Sequence, residues 1–484
     1  MFLHLSDDDG PRYRQVYAAL RRAILSGELA GGTKLPSTRA LALSTGLSRI
    51  TIQLAFEQLL AEGYVEARVG SGTYVLAGAE PSAAVQLSER PTAPRPPRLS
   101  ALARRLAAGT PLLSGRGHGR PRPRYDFRHG SPDLAALPRA RWRRLLGRQT
   151  RRGERSAYDY GPAAGAPALR EAIAAYLRRA RGLACTAAQV VIVNGSQQGL
   201  DLCGRLLLDP GDAALIEEPG YEGARSAWRA AGARIVPLRV DDEGLDIARL
   251  PTGARPRLAY VTPAHQFPTG AVLSLPRRLA LLDWARRADA VIVEDDYDGE
   301  FHFDGRPLAP LQALDRDARV LYLGTFSKVM FPALRLGYLV VPAPLARLFA
   351  DAKALADGGT SALEQQALAQ FIASGSFERH LRRARQRHGA RRAALLDAIA
   401  TRLGDRVRVS GANAGLHILL HLPRLPAADG EALVRRAAQR EVGVYSAAPY
   451  YARPPRHTVL VLGYSGLEPN EIAAGIEILA TLLP

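Results

Sequence analysis

The stretch GTFSKVMFPALRLG, residues 324–337, decides how the chain is read. A strand-like run, VLYLGTFS, leads into Lys328, a Pro-interrupted apolar turn follows, and Arg335 comes seven residues after the lysine. Most lysines at strand ends are solvated charges. A lysine among so many apolar neighbours also fits a second role, an amine that condenses with an aldehyde to form a Schiff base. The other strand ends decide between the two.

Working outward, QVVIVNGSQQGLDL, AALIEEPGY, ARIVPLRV, RLAYVTP and AVIVEDDYDGEF each place an apolar run before a motif, with amphipathic helical segments between them. This alternation predicts an α/β domain with a mainly parallel sheet. Open sheets of this kind bind ligands at the carboxyl ends of their strands. There, Ser196 and Gln197 open a helix whose free N–H groups suit a phosphate. No GK[ST] follows, so this is not a P-loop. Tyr221 follows a strand and is placed to face an aromatic ring.

The acids of EDDYDGEF have no histidines at metal-ligand spacing, so no metal is expected. Asp295 instead suits a protonated pyridine nitrogen, and Tyr297 a ring oxygen. Thr325, Ser327 and the forked guanidinium of Arg335 add phosphate donors. A phosphate cradle, a stacking tyrosine, a pyridinium-pairing aspartate and a Schiff-base lysine are what pyridoxal phosphate requires. Lys328 is the expected Schiff-base lysine.

The N-terminal 76 residues read differently. PRYRQVYAALRRAILSGEL carries Val16, Leu20, Ala23 and Ile24 at helical spacing and stops at Gly31-Gly32. A second helix is predicted after Pro36, with Ser37 as N-cap, and Gly46 breaks it. A third starts near Ser48. YVEARVGSGTYVLA then alternates about a turn at Gly70-Ser71-Gly72, a hairpin pattern. This is a helix-turn-helix with a wing. Ser48, Arg49 and Thr51 would bring N–H groups, hydroxyls and a guanidinium to DNA. Residues 77–124 are rich in Pro, Gly and Arg with almost no acid, and read as a linker around one short helical patch, LSALARRLAAG. Residues 125–484 form the second domain. Its end, from about residue 360, starts with long Arg/Ala-rich helices and reads as a small α+β subdomain.

Composition agrees with more than one domain, since 484 residues exceed what one core usually holds. No apolar run is long enough for a transmembrane helix, and the acidic start MFLHLSDDDG lacks a signal-peptide layout. A cytoplasmic protein is expected, with no membrane partner. Cys185 and Cys203 are expected as buried thiols in a reducing compartment. The net charge of +19 suits a polyanionic partner, although it comes almost entirely from arginine in an Ala- and Leu-rich chain, a bias that composition alone produces.

LPSTRALALSTGLSRITIQLAFEQLLAEGYVEARVGSGTYV closely resembles the GntR-type winged helix-turn-helix. The resemblance implies DNA contacts by Arg39, Ser48, Arg49 and Thr51, with Gly70 at the wing. Ile50 and Gln53 stand where relatives often carry arginine or asparagine, so base preference does not carry over. YGPAAGAPALREAIAAYL, GSQQGLDL, EEPGYEG, TPAHQFPTG, EDDYDGEF, GTFSK and RLGY recur in the order found in fold-type I aminotransferases. That resemblance implies a role near the ring oxygen for His265 or Gln266.

The two halves together resemble the MocR subfamily of GntR regulators. The implied protein is a homodimeric, DNA-binding transcription regulator that binds pyridoxal 5'-phosphate and senses it or an amino compound. The alternative is a working aminotransferase with an accessory DNA-binding domain. Where aminotransferases carry a carboxylate-gripping arginine near the C-terminus, this chain has Val461 and Leu462. Arg453 or Arg456 are the possible substitutes.

Overall fold

The computed structural model describes residues 10–78, 98–108, 122–152, 158–303 and 309–483. The chain divides into two compact units, Met1–Arg98 and Leu99–Pro484. The division falls within the stretch read as a linker, of which residues 79–97 and 109–121 lie outside the described residues. The predicted short helix spans Ala101–Ala107, and Arg105 donates from Nε to the carbonyl of Ala230 at 2.9 Å, which docks this piece on the larger unit.

The first unit contains α1 (Arg12–Leu25), α2 (Thr38–Thr45), α3 (Arg49–Ala61) and a hairpin of β1 (Val65–Arg68) and β2 (Gly72–Val75). Val16, Leu20 and Ile24 of α1 meet Leu41, Ile52, Phe56 and Leu59 in one core that the hairpin closes with Val65 and Val75. Side-chain oxygens satisfy donors that helix starts leave open. Ser37 accepts from the N–H of Ala40, and Ser48 from that of Thr51.

The second unit is built on an eight-stranded sheet. After a two-residue strand β3 (Tyr125–Asp126) come β4 (Val190–Val193), β5 (Ala213–Glu218), β6 (Arg234–Asp241), β7 (Gly244–Leu245), β8 (Pro256–Val261), β9 (Val291–Asp296), β10 (Val320–Thr325) and β11 (Gly337–Val340). The spatial order is β4-β11-β10-β9-β8-β5-β6-β7. The pairs linking β10, β9, β8, β5 and β6 are parallel, whereas β11 is antiparallel to both its neighbours and β7 to β6. The strands are apolar on both faces because helices cover both. Val190 and Ile192 join a core with the helices Pro167–Arg181 and Ala362–Ala373, while Val191 and Val193 join one with Ser196–Leu207 and Glu222–Ala231.

The terminal subdomain is a four-stranded antiparallel sheet, ordered β12 (Arg408–Ser410), β13 (His417–Pro426), β16 (His457–Gly463), β15 (Tyr445–Ser446), with β14 (Val442–Gly443) pairing separately with β3. That pairing, and Phe127 in the same core, bring the start of the second unit into the subdomain expected from about residue 360 onward. The 27-residue helix Ser376–Arg402 joins both layers: Phe377 and Leu381 pack on the large sheet's core, Leu395 and Ile399 on the small one.

The YGPAAGAPALR segment crosses β4 at close range. Ala164 accepts from the N–H of Ile192 at 2.9 Å, and Gln365 accepts from that of Ala166 at 2.7 Å. Between them Gly165 has φ of 103°, and a Cβ there would lie 2.2 Å from Ile192 Cγ1. Gly165→Ala is therefore expected to lower the stability of the second unit by about 1–3 kcal/mol through overpacking and left-handed strain. Urea unfolding checks this, and an unchanged midpoint would contradict it.

Candidate functional site

The sheet register gathers the second unit's motifs at one edge. Thr325 lies opposite Gly337, Gly337 opposite Val193, and Asp295 opposite Leu323. Because β11 runs against its neighbours, Arg335, which precedes it, sits at the edge where β4, β5, β8, β9 and β10 end. Ser196, Gln197, Tyr221, His265, Asp295, Tyr297, Thr325, Ser327 and Lys328 all lie within or just beyond those strand ends.

One side of this edge is a cradle. Gly195, with φ of 82°, turns the chain from β4 into the helix that Ser196 begins. A Cβ on Gly195 would come within 2.8 Å of Arg335 Nη2, and that nitrogen donates to the carbonyl of Asn194 at 2.7 Å. The guanidinium thus lies against a half-buried helix N-terminus. Thr325 is buried and accepts from the N–H of Ser327 at 3.2 Å. Gln197 donates to the carbonyl of Gly223 at 3.0 Å, beside the Tyr221 ring.

Asp295 lies deeper. Tyr260 donates to its Oδ2 at 2.8 Å, and its Oδ1 is a buried oxygen with no hydrogen-bond partner among the described residues. Burial pushes this carboxyl up to about 7, opposed by the Tyr260 bond, with Asp296 and Asp298 adding like charge and Lys328 opposing it. Lys328 donates from Nζ to the carbonyl of Gly130 at 2.7 Å. His129 is bonded through Nε2 to the Tyr450 hydroxyl at 2.8 Å, and burial, with the charges of Lys328 and Arg128, pushes it down to about 4. Tyr221 and Phe267 stand edge to face at 5.9 Å.

The structure separates the two candidates in HQFPTG. His265 is buried, with Nδ1 3.0 Å from both Asp298 Oδ2 and the Tyr297 hydroxyl, and Tyr297 donates to the carbonyl of His265 at 3.0 Å. Gln266 turns inward. Its amide nitrogen lies within hydrogen-bond distance of Glu217, Pro219 and Phe267, which share its two N–H groups, and its oxygen accepts from Thr269. That is the full capacity of the amide. Gln266 therefore braces two loops.

The fold also brings histidines to the acidic run, which its sequence spacing did not foretell. Ligand atoms of His265, Asp298 and His417 lie within 4.8 Å of one another, all buried. Hydrogen bonds link His265 to Asp298, and His417 Nε2 to the carbonyl of Pro268 at 3.1 Å. Val461 and Leu462 are fully buried in β16, whereas Arg453 and Arg456 are exposed. Tyr260, His129 and Gly130 were not singled out in the sequence. No motif spacing links residue 130 to 328 or 260 to 295.

In the first unit Ser48, Arg49 and the wing at Gly70 are exposed, and Thr51 is half-buried, its hydroxyl 2.8 Å from that of Ser48. Arg39, at the start of α2, is exposed.

A winged helix-turn-helix followed by a fold-type I aminotransferase-like unit defines a class of regulator. Residues 12–75 match the family "Bacterial regulatory proteins, gntR family", and residues 132–461 match "Aminotransferase class I and II". The chain is 39% identical to the probable rhizopine catabolism regulatory protein MocR of Rhizobium meliloti, over 97% of this chain and 93% of that protein. It is 31% identical to the pyridoxine biosynthesis transcriptional regulator PdxR of Corynebacterium glutamicum, over 93% and 91%. Among solved structures, the alpha-aminoadipate aminotransferase LysN of Thermus thermophilus, complexed with N-(5'-phosphopyridoxyl)-L-leucine, is similar with a TM-score of 0.68 and 32% identity, over 74% of this chain and 92% of that one. The chain belongs to the GntR family of bacterial regulators, in the MocR group whose members carry an aminotransferase-like domain.

The burial of Asp295 has a pH signature. Its folded-state pKa of about 7 lies above the ordinary value of 3.8. The stability it contributes is therefore complete below pH about 4 and is lost as pH rises through about 7. The loss reaches on the order of 4 kcal/mol. Asp295→Asn avoids it. Without added ligand, this variant is expected to unfold at a higher temperature than the parent at pH 8, and the gap should close toward pH 4. A gap independent of pH would contradict the raised titration of this buried carboxyl.

Proposed function

We propose that this DNA-binding transcription regulator holds pyridoxal 5'-phosphate at the sheet edge of its second unit, and that the state of that site sets its affinity for an operator. The observation that carries the proposal is the partnerless Oδ1 of Asp295. A buried carboxylate oxygen without a donor is costly, and a pyridinium N–H supplies both the proton and the charge it lacks.

The surrounding residues fit the rest of the group. Ser196, Gln197, Thr325, Ser327 and Arg335 would hold the phosphate, at a helix N-terminus backed by a guanidinium. Tyr221 would cover the ring. Tyr297, with His265 behind it, would take the ring oxygen. Bound there, pyridoxal phosphate supplies an aldehyde that condenses with amines and a ring that withdraws electrons. Lys328 would be the amine of this chain that meets it, and His129, kept neutral by burial, adds no competing positive charge.

An amino compound entering the site would compete with Lys328. A difference in its affinity for two arrangements of the protein would then shift their populations, and DNA binding with them. We further propose a homodimer that presents two winged helices to paired half-sites. Arg39, Ser48, Arg49, Thr51 and the wing at Gly70 would make the contacts. The exposure of Arg453 and Arg456, and the buried apolar pair Val461 and Leu462, favour this reading over a working aminotransferase. None of the described helices is long and apolar enough to cross a membrane.

Two outcomes are expected. Adding pyridoxal phosphate to the parent should give a visible absorption band that borohydride fixes to the protein, and Lys328→Ala should lose both. A band unchanged in the variant would contradict the assignment. Arg49→Ala should weaken operator binding by about 1–3 kcal/mol while leaving the band intact. Binding of the parent should fall steeply with salt, as counterion release requires. Equal binding of operator and random DNA by parent and variant alike would contradict the role of α3.

A further inference from the structure

The outer face of α3 carries two kinds of side chain. Ile52, Ala55, Phe56 and Leu59 face the core. Exposed on the opposite side are Arg49, Gln53 and Glu57, and beside them Ile50 at 71% and Leu54 at 44% of full exposure. Ile50 and Leu54 are four residues apart, so they form one apolar ridge along the first two turns. Neither belongs to the unit's core or packs against it.

The polar neighbours are largely engaged with one another. Gln53 donates to Glu57 at 2.9 Å, and the hydroxyls of Ser48 and Thr51 share a proton at 2.8 Å. The tip of α3 therefore presents the exposed Arg49 and two apolar side chains. The unit around it is basic, with eight Lys and Arg against four Glu and no Asp in residues 10–78, which suits DNA rather than a protein surface of mixed charge.

The major groove has one apolar feature for such a ridge to meet, the C5-methyl group of thymine. Resting on the reading of this unit as DNA-binding, we propose that Ile50, with Leu54 one turn behind it, reads thymine methyl groups and so fixes a T at one or two positions of each half-site. This is a specificity element of apolar contact, carried by Ile50 and Leu54 rather than by a hydrogen-bonding side chain.

The test uses the full-length protein. Duplexes bound from a randomised pool are sequenced, and each thymine of the resulting site is then replaced singly by deoxyuridine, which removes only the methyl group. Parent protein is expected to lose about fourfold in affinity at one or two of these positions, the effect of one buried methyl. Ile50→Ala should bind the thymine site more weakly than the parent and be indifferent to deoxyuridine at the position Ile50 reads. Leu54→Ala serves as a second variant, with its own loss confined to a neighbouring position. Because both side chains are exposed, the variants should keep the parent's melting temperature. Unchanged affinity at every deoxyuridine, or the same deoxyuridine loss in Ile50→Ala as in the parent, would overturn the inference while leaving DNA binding intact. A parent protein that binds no duplex would overturn the DNA-binding reading itself, and the inference with it.

Discussion

The second unit turns on one buried carboxylate. Asp295 stands one residue from the end of a central strand of the sheet, with one oxygen held by Tyr260 and the other without a donor among the described residues. A protein interior rarely tolerates such an oxygen, because the desolvation cost is not returned by any bond. Its neighbours make the position worse, since Asp296 and Asp298 add like charge. A cationic N–H at that point would relieve all of these costs together. Lys328, on the loop leaving the next strand, belongs to the same electrostatic group.

Strand order explains why so few residues suffice. Parallel strands end at one edge, and the antiparallel strand β11 adds its entry, Arg335, to that edge. Motifs spread over some 140 positions, from Ser196 to Arg335, thereby converge at one edge. Gly195 lets the guanidinium of Arg335 lie against the helix start, where any Cβ would collide with it.

Much of this was legible in the sequence, and for a definite reason. An apolar run followed by a polar motif marks a buried strand and its exit, so Asp295, Thr325, Ser327, Lys328 and Ser196 could be placed by position alone. The three helices of the first unit, with the Ser37 cap and the start of the third near Ser48, were legible through local rules of spacing and capping. What local rules do not carry is side-chain direction after a strand ends. Gln266 and His265 are adjacent, yet one is consumed by Glu217 and two carbonyls while the other joins Asp298 and Tyr297. Nor do they carry partners from remote segments. Gly130, which receives the Lys328 ammonium, His417 beside His265, and Tyr260 beneath Asp295 reach the site only through the fold. The pairing of β3 with β14 was hidden for the same reason, since two-residue strands have no period to detect.

The central claim is that Asp295 holds its oxygen for a ring nitrogen. It is tested most directly by comparing the affinity of pyridoxal phosphate with that of its analogue bearing C–H in place of the ring nitrogen. Both carry the same aldehyde and phosphate, so contacts to Lys328 and the cradle cancel. The parent protein is expected to prefer the pyridine compound by about tenfold or more, as a charge-assisted hydrogen bond requires, and Asp295→Asn to narrow that preference. Equal affinity of the parent protein for the two compounds would contradict the account.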